Sequence, residues 1–174
     1  LCEKIGVPQP VVCQPYYNLL NRGPEVEILP ACAHYGLGVA SYSPIARGVL
    51  TGKYLPGQAP ADNTRAARGD KRILETEFRE ESLVIAQTLL RHCEGRGIKL
   101  GHFATAWVLA NANISSVIAG PRTLAQMEDY YPAVDIRISA EEEALVNSLV
   151  TPGHASSPGY NDPGYPFYVR IAAE

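Results

Sequence analysis

The chain has 174 residues, 46% of them hydrophobic and 19% charged, with a formal net charge of -3. That length supports one domain with a substantial core, and the weakly acidic balance gives no sign of a nucleic-acid or anionic-membrane partner. No apolar run is long enough to span a bilayer, and residue 1 onward lacks the basic and apolar regions of a signal peptide, so a cytoplasmic protein is expected. In chain order, residues 1–6 read as the tail of a helix closed by Gly6. Val11-Val12-Cys13 is a short β-branched run, read as a buried strand that ends in polar and aromatic residues from Gln14. Residues 24–34 predict a helix, with Pro24 in the first turn, Glu25 and Glu27 near the amino end, and Val26, Leu29 and Ala33 on one face. Residues 38–41 predict a second buried strand, broken by Ser43-Pro44 and emptying into a loop with Gly48 and Gly52. Residues 55–71, rich in Pro, Gly, Asp and Arg, predict a long loop.

Leu83, Ala86, Leu89 or Leu90, and Cys93 recur at helical spacing in residues 79–94, and Gly95 and Gly97 end that helix. Residues 102–111 predict a second helix, apolar nearly all round through Phe103, Ala106, Trp107, Val108 and Leu109, and therefore buried. Residues 116–120 predict a third strand, followed by Pro121-Arg122 and a helix from Thr123. Thr123 with Gln126, and Ser139 with Glu142, fit the capping-box pattern. The tail after Leu149 is dense in Pro, Gly and Tyr and has no period. Cys2, Cys13, Cys32 and Cys93 are irregularly spaced with no Cys-x-x-Cys pair, which predicts buried free thiols and neither a metal site nor a disulfide framework. The chain begins with Leu and its single Met is Met127, so it is expected to lack its natural beginning.

Alternating strands and helices with near-continuous apolar strands predict an α/β fold, a parallel sheet covered by helices. Each strand turns polar at its carboxyl end, where such sheets carry their sites. No Gly-x-Gly-x-x-Gly follows a strand, which weighs against a Rossmann domain and for a (β/α) barrel. Three strands are visible, whereas a barrel of this kind closes with eight.

Three segments taken together resemble the second half of the aldo-keto reductase family. Cys13-Gln14-Pro15-Tyr16-Tyr17-Asn18-Leu19-Leu20 is similar to the end of the family's sixth strand. Ser41-Tyr42-Ser43-Pro44-Ile45-Ala46-Arg47-Gly48 with Thr51-Gly52-Lys53-Tyr54 resembles its seventh strand and the loop beyond. Ser116-Val117-Ile118-Ala119-Gly120-Pro121-Arg122-Thr123 with Gln126 and Glu128-Asp129 resembles its eighth strand and helix. The resemblance implies a (β/α)8 TIM barrel of which only the C-terminal half is present. Residues 1–150 would form that half, and residues 151–174 a C-terminal tail serving as a substrate-side loop, with Tyr160, Tyr165, Phe167 and Tyr168 available to line a pocket.

The resemblance further implies reduction of aldehydes or ketones to alcohols by an NADP(H)-dependent oxidoreductase. By motif position, Gln14 would hydrogen-bond the nicotinamide carboxamide and Tyr42 would stack on its ring. Ser43, Pro44, Ile45, Ala46 and Arg47 would line the pyrophosphate, with Lys53 and Arg65 as charge partners. Gly120, Arg122, Gln126 and Asp129 would hold the adenosine end, with Arg122 and the helix-end amides on a 2'-phosphate. No acidic residue stands between Ile118 and Gln126 to favour a free ribose diol. The family's catalytic Asp, Tyr, Lys and His tetrad would come from the first half, so no catalytic residue is assigned and the chain alone is expected to be inactive. Small carbonyl compounds are the partners implied. The alternative is a nucleotide-binding regulatory subunit resembling potassium-channel β subunits.

Plainer readings stand beside these. Tyr42 suits a core position, Gln126 suits a helix cap, and Arg65 shares its loop with Arg68 and Arg72. Where the family has Asn after the acid, this chain has Tyr130, which is left outside the site. His34, His92, His102 and His154 read as surface or helix residues, and Glu141-Glu142-Glu143 as a solvated helix start.

Overall fold

The computed structural model describes residues 1–164. Strands β1 (Val12–Cys13), β2 (Gly38–Tyr42) and β3 (Ser116–Ile118) form a three-stranded parallel sheet in the order β1-β2-β3. Val12 pairs with Gly38 and Cys13 with Val39; Ala40, Ser41 and Tyr42 pair with Ser116, Val117 and Ile118. β2 is the central strand, and Val39 and Ser41 on one of its faces are fully buried. Alternate residues Gly38, Ala40 and Tyr42 are half-buried, as period-two geometry requires when one face is covered by helices and the other is open.

Helix α1 (Cys2–Ile5) precedes the sheet, and α2 (Ile28–Tyr35) joins β1 to β2. Three helices join β2 to β3: α3 (Lys71–Thr76), α4 (Glu80–Gly95) and α5 (Leu100–Ala110). After β3 come α6 (Leu124–Glu128), a short 3-10 segment at Tyr131–Asp135, and α7 (Ala140–Leu149). The core sits between the sheet and α2, α4 and α5. Phe103, Ala104 and Val108 of α5 are wholly buried, and they meet Val39, Leu29, Leu89 and Cys93 in one cluster. Burying a Phe or Leu side chain contributes about 1.5–3 kcal/mol, so the largely apolar α5 is fixed by packing more than by propensity.

The expected helix over residues 24–34 is divided. A 3-10 turn covers Gly23–Glu25, and α2 starts only at Ile28, because Glu27 between them is non-helical at φ -139° and ψ -44°. Tertiary bonds account for the break: Glu25 accepts from Arg22 Nε at 2.9 Å and from the Tyr17 hydroxyl at 2.7 Å. Val26 is exposed, and the buried face of α2 is Leu29 and Cys32. The expected loop over residues 55–71 runs into α3, which the sequence pattern did not predict; Asp70 caps it by accepting from the Ile73 amide at 3.2 Å. Helix α5 begins two residues before its expected start, with Lys99 as its N-cap.

The two caps read from sequence have different fates. Ser139 and Glu142 form a full capping box on α7. Thr123 accepts from the Gln126 amide at 3.2 Å, but the Gln126 side chain takes the Arg122 amide at 2.7 Å, one residue before the expected partner. The acidic start of α7 is not simply solvated. Glu142 is buried and accepts from His92 at 2.9 Å and Arg96 at 2.5 Å, while Glu143 accepts from Trp107 Nε1 at 2.7 Å. Burial opposes ionisation of Glu142, but these donors and the Ser139 amide outweigh it and hold the carboxyl below its ordinary range.

Candidate functional site

A cleft of about 800 Å³ opens at the carboxyl ends of β2 and β3, bounded by the loops that leave them and by the starts of α5 and α6. All of the predicted site residues line it except Gln14 and Ala46. Gln14 is exposed just past β1, and Ala46 is wholly buried beneath the loop. Tyr42, the last residue of β2, lies at the cleft surface with the Tyr16 ring 5.5 Å away in a tilted arrangement. Tyr16 also pairs with Tyr42 as a parallel bridge, so the polar-aromatic end of β1 extends the sheet towards the site.

The loop after β2 is wound tightly. Ser43, Ala46 and Arg47 have φ of 59°, 48° and 50°, and Gly48 follows at 98°. Non-glycine residues in this region cost about 1–3 kcal/mol each and persist where surrounding contacts over-determine them, commonly at binding sites. Asn18 Nδ2 donates to the Ser43 carbonyl at 3.0 Å and helps to hold the turn. At Gly48 an added Cβ would come within 3.1 Å of Lys53 Nζ, in a conformation that side chains rarely adopt, so glycine lets the lysine lie over the loop. Lys53 Nζ is 5.2 Å from the Tyr54 ring.

Lys53, Arg47, Arg65, Arg68 and Arg122 bring five guanidinium or ammonium groups to one cleft. Three of the predicted residues are already engaged within the protein. Arg47 Nη1 donates to Glu77 Oε1 at 2.7 Å, and Arg65 forks onto Asp70 Oδ2 at 3.0 and 2.7 Å. Asp129 accepts from Lys99 and lies 3.3 Å from His102 Nε2. The Lys99 hydrogen bond holds the Asp129 carboxyl below the usual range. Burial, then the charge of Glu77 and the hydrogen bond to it, push the Tyr16 hydroxyl well above the usual phenol range. Two of the amides expected to meet a phosphate at the start of α6 are taken by Gln126 and Thr123, which leaves the Arg122 guanidinium as the cationic group at that point.

Sequence reasoning missed several lining residues. His102, read as a surface or helix residue, lies on helix α5 but is largely buried and faces the cleft, and Tyr130, left outside the site, lines it. Asn63 and Arg68 belong to the same wall, where the Arg68 side chain donates to the Asn63 carbonyl at 3.2 Å. No local signal marks His102, because its environment comes from Asp129, brought back beside α5 at the end of α6. Among the tail aromatics, Tyr160 packs elsewhere: Arg79 lies 3.8 Å over its ring, and its hydroxyl donates to the Glu75 carbonyl at 3.0 Å. Tyr165, Phe167 and Tyr168 lie outside the described residues. Among the described residues no cluster of His, Cys, Asp and Glu suits a metal ion, and no helix is long and apolar enough to cross a membrane.

A parallel α/β sheet with a cation-lined cleft at its carboxyl edge and an aromatic ring in that cleft has the chemistry that suits an anionic ligand. Residues 2–151 match the family model described as "Aldo/keto reductase family", and the chain belongs to that family. It is 36% identical over 137 residues to "Probable voltage-gated potassium channel subunit beta" of Oryza sativa subsp. japonica, covering 78% of this chain and 42% of that protein. It is 36% identical over 133 residues to "Uncharacterized oxidoreductase YrpG" of Bacillus subtilis (strain 168), covering 76% of this chain and 38% of that protein. It is 31% identical over 147 residues to "L-glyceraldehyde 3-phosphate reductase" of Escherichia coli (strain K12), covering 82% of this chain and 42% of that protein. The chain thus spans about two fifths of the length of these relatives.

Proposed function

We propose that residues 1–150 are the C-terminal half of an aldo-keto reductase barrel and that the cleft holds NADP(H). One observation carries this reading: Tyr42, five cationic side chains and the strained Ser43–Gly48 backbone all converge on a single cleft. Its size lies within the range of about 300–1,000 Å³ typical of small-ligand sites. A bound nicotinamide cofactor would supply the hydride for reducing an aldehyde or ketone. The residues of this chain bind and orient: Tyr42 offers a stacking face, Arg47, Lys53 and Arg65 face the pyrophosphate, and Arg122 the 2'-phosphate. Gly120, Gln126 and Asp129 border the adenosine end, and Gln14, which lies outside the cleft lining, is given no contact. Proton transfer is assigned to groups outside this chain, in a cytoplasmic protein acting on small carbonyl compounds.

The second reading, a nucleotide-binding regulatory subunit, is favoured by the relatives named as potassium-channel β subunits. The two are separated by following NADPH absorbance in the full-length protein with a panel of small aldehydes and ketones. Carbonyl-dependent NADPH oxidation supports the enzyme. Tight binding without turnover on any member of the panel supports the regulatory subunit, and no binding overturns both.

A further inference from the structure

Glu77, just past α3, belongs to no motif, yet its carboxylate is wholly buried and reaches the cleft loop from behind. Its Oε1 accepts from Arg47 Nη1 at 2.7 Å and from the Tyr16 hydroxyl at 2.6 Å, and its Oε2 accepts from the Thr76 hydroxyl. The Arg47 guanidinium also lies 5.6 Å over the Tyr16 ring, which in turn lies 5.5 Å from Tyr42. One carboxylate therefore joins the arginine of the strained loop to the ring that backs Tyr42. A buried carboxylate is tolerated where donors surround it, and here all of them come from the cleft side or from Thr76.

Helix α3 is itself held at both ends and from outside. Asp70 caps it while pairing with Arg65 of the cleft. On its outer side Arg72 forks onto Asp162 at 3.0 and 2.7 Å. The helix that presents Glu77 is thus a fixed support, not a loose loop.

We propose that Glu77 is a positioning residue for ligand binding in the cleft. It holds Arg47 by the Nη1 edge, keeping the guanidinium against the wall where the pyrophosphate would lie, and through Tyr16 it fixes the ring behind Tyr42. The proposal rests on the dinucleotide reading above. Glu77 itself does not touch the ligand; it acts through Arg47 and Tyr16.

The test is a fluorescence titration of NADPH against the full-length wild type and the variants Glu77→Gln, Glu77→Asp, Arg47→Ala and Arg47→Ala/Glu77→Gln, with a thermal melt of each. Glu77→Gln should weaken binding by about tenfold, and Glu77→Asp, which keeps the charge with shorter reach, by less. The double variant should bind only slightly more weakly than Arg47→Ala alone, well short of the sum of the two single losses, since most of the effect runs through that arginine and the remainder through Tyr16. If Glu77→Gln does not fold, Tyr16→Phe is read instead; it removes one donor to the carboxylate and should weaken binding by about two- to threefold. Lowered melting with unchanged affinity, or losses that add in the double variant, would reduce Glu77 to a structural role and overturn the proposal. Wild-type protein that fails to bind NADPH overturns the dinucleotide reading and this proposal with it. Wild-type binding with an unaffected Glu77→Gln overturns the proposal alone.

Discussion

Arg122→Ala is the perturbation that separates NADP(H) from NAD(H). Arg122 is exposed at the cleft edge, and the amides beside it are taken by Gln126 and Thr123. A 2'-phosphate at this point is therefore met chiefly by one guanidinium, two of the nearby amides being already bonded within the protein. Charge-assisted hydrogen bonds contribute about 1.5–3 kcal/mol, so the substitution should raise the dissociation constant for NADPH by roughly ten- to a hundredfold. The exposure of Arg122 places the expected loss towards the lower figure and makes it fall with added salt, because screening at about 0.1 M acts over some 10 Å. NADH lacks the phosphate, and its affinity should hardly change. The assay is a fluorescence titration of both cofactors against wild type and variant at two ionic strengths. Equal losses for both cofactors would refute the reasoning and assign Arg122 to supporting the loop.

Tyr42→Ala should weaken NADPH binding by about 1–3 kcal/mol and Tyr42→Phe should be close to neutral, as calorimetry would read, because the ring makes the contact. Equal impairment of both variants would replace stacking by a hydrogen bond. Burial pushes the Cys93 thiol up to about 12, so native protein should label with a disulfide reagent at Cys2 well before Cys93, and mass spectrometry of the labelled sites checks this. The hydrogen bonds from Arg72 hold the Asp162 carboxyl below its ordinary value of about 3.9. Its stabilisation is therefore complete above that pH and disappears as pH falls below it. Asp162→Asn should cost about 0.5–1 kcal/mol in urea denaturation at pH 7 and progressively less as pH falls from the ordinary carboxyl value through the lowered one, and a cost that did not shrink with falling pH would assign the effect to packing.

What the sequence made legible was local or strongly periodic. The all-apolar face of α5, the Ser139-Glu142 cap, and the positions of the three strands with polar ends all follow from residues close together in the chain, but the expected burial of β1 does not hold, since Val11 and Val12 are exposed on this edge strand. The motif around Tyr42 led to the cleft because a Pro and two glycines mark where the strand must stop. What stayed hidden depends on contacts between distant segments. Glu25 accepts from the Gly153 amide far along the chain, and Glu77 looks like any surface acid until Arg47, thirty residues earlier, folds onto it. Helix α3 was missed because six residues in an Arg-rich polar stretch carry too little period to stand out from a loop. His102 and Tyr130 joined the site because the chain after α6 returns to α5 at Asp129, which no spacing reports.

The central claim is that this cleft, and not another surface, takes the dinucleotide. Hydrogen–deuterium exchange of the full-length protein with and without NADPH tests it directly. Protection should appear in residues 43–53, 63–70 and 120–130, and the separate pocket lined by Arg22, Trp107 and Glu143 should exchange unchanged. Saturating NADPH that protected the Arg22 pocket while leaving residues 43–53 unaltered would contradict the account.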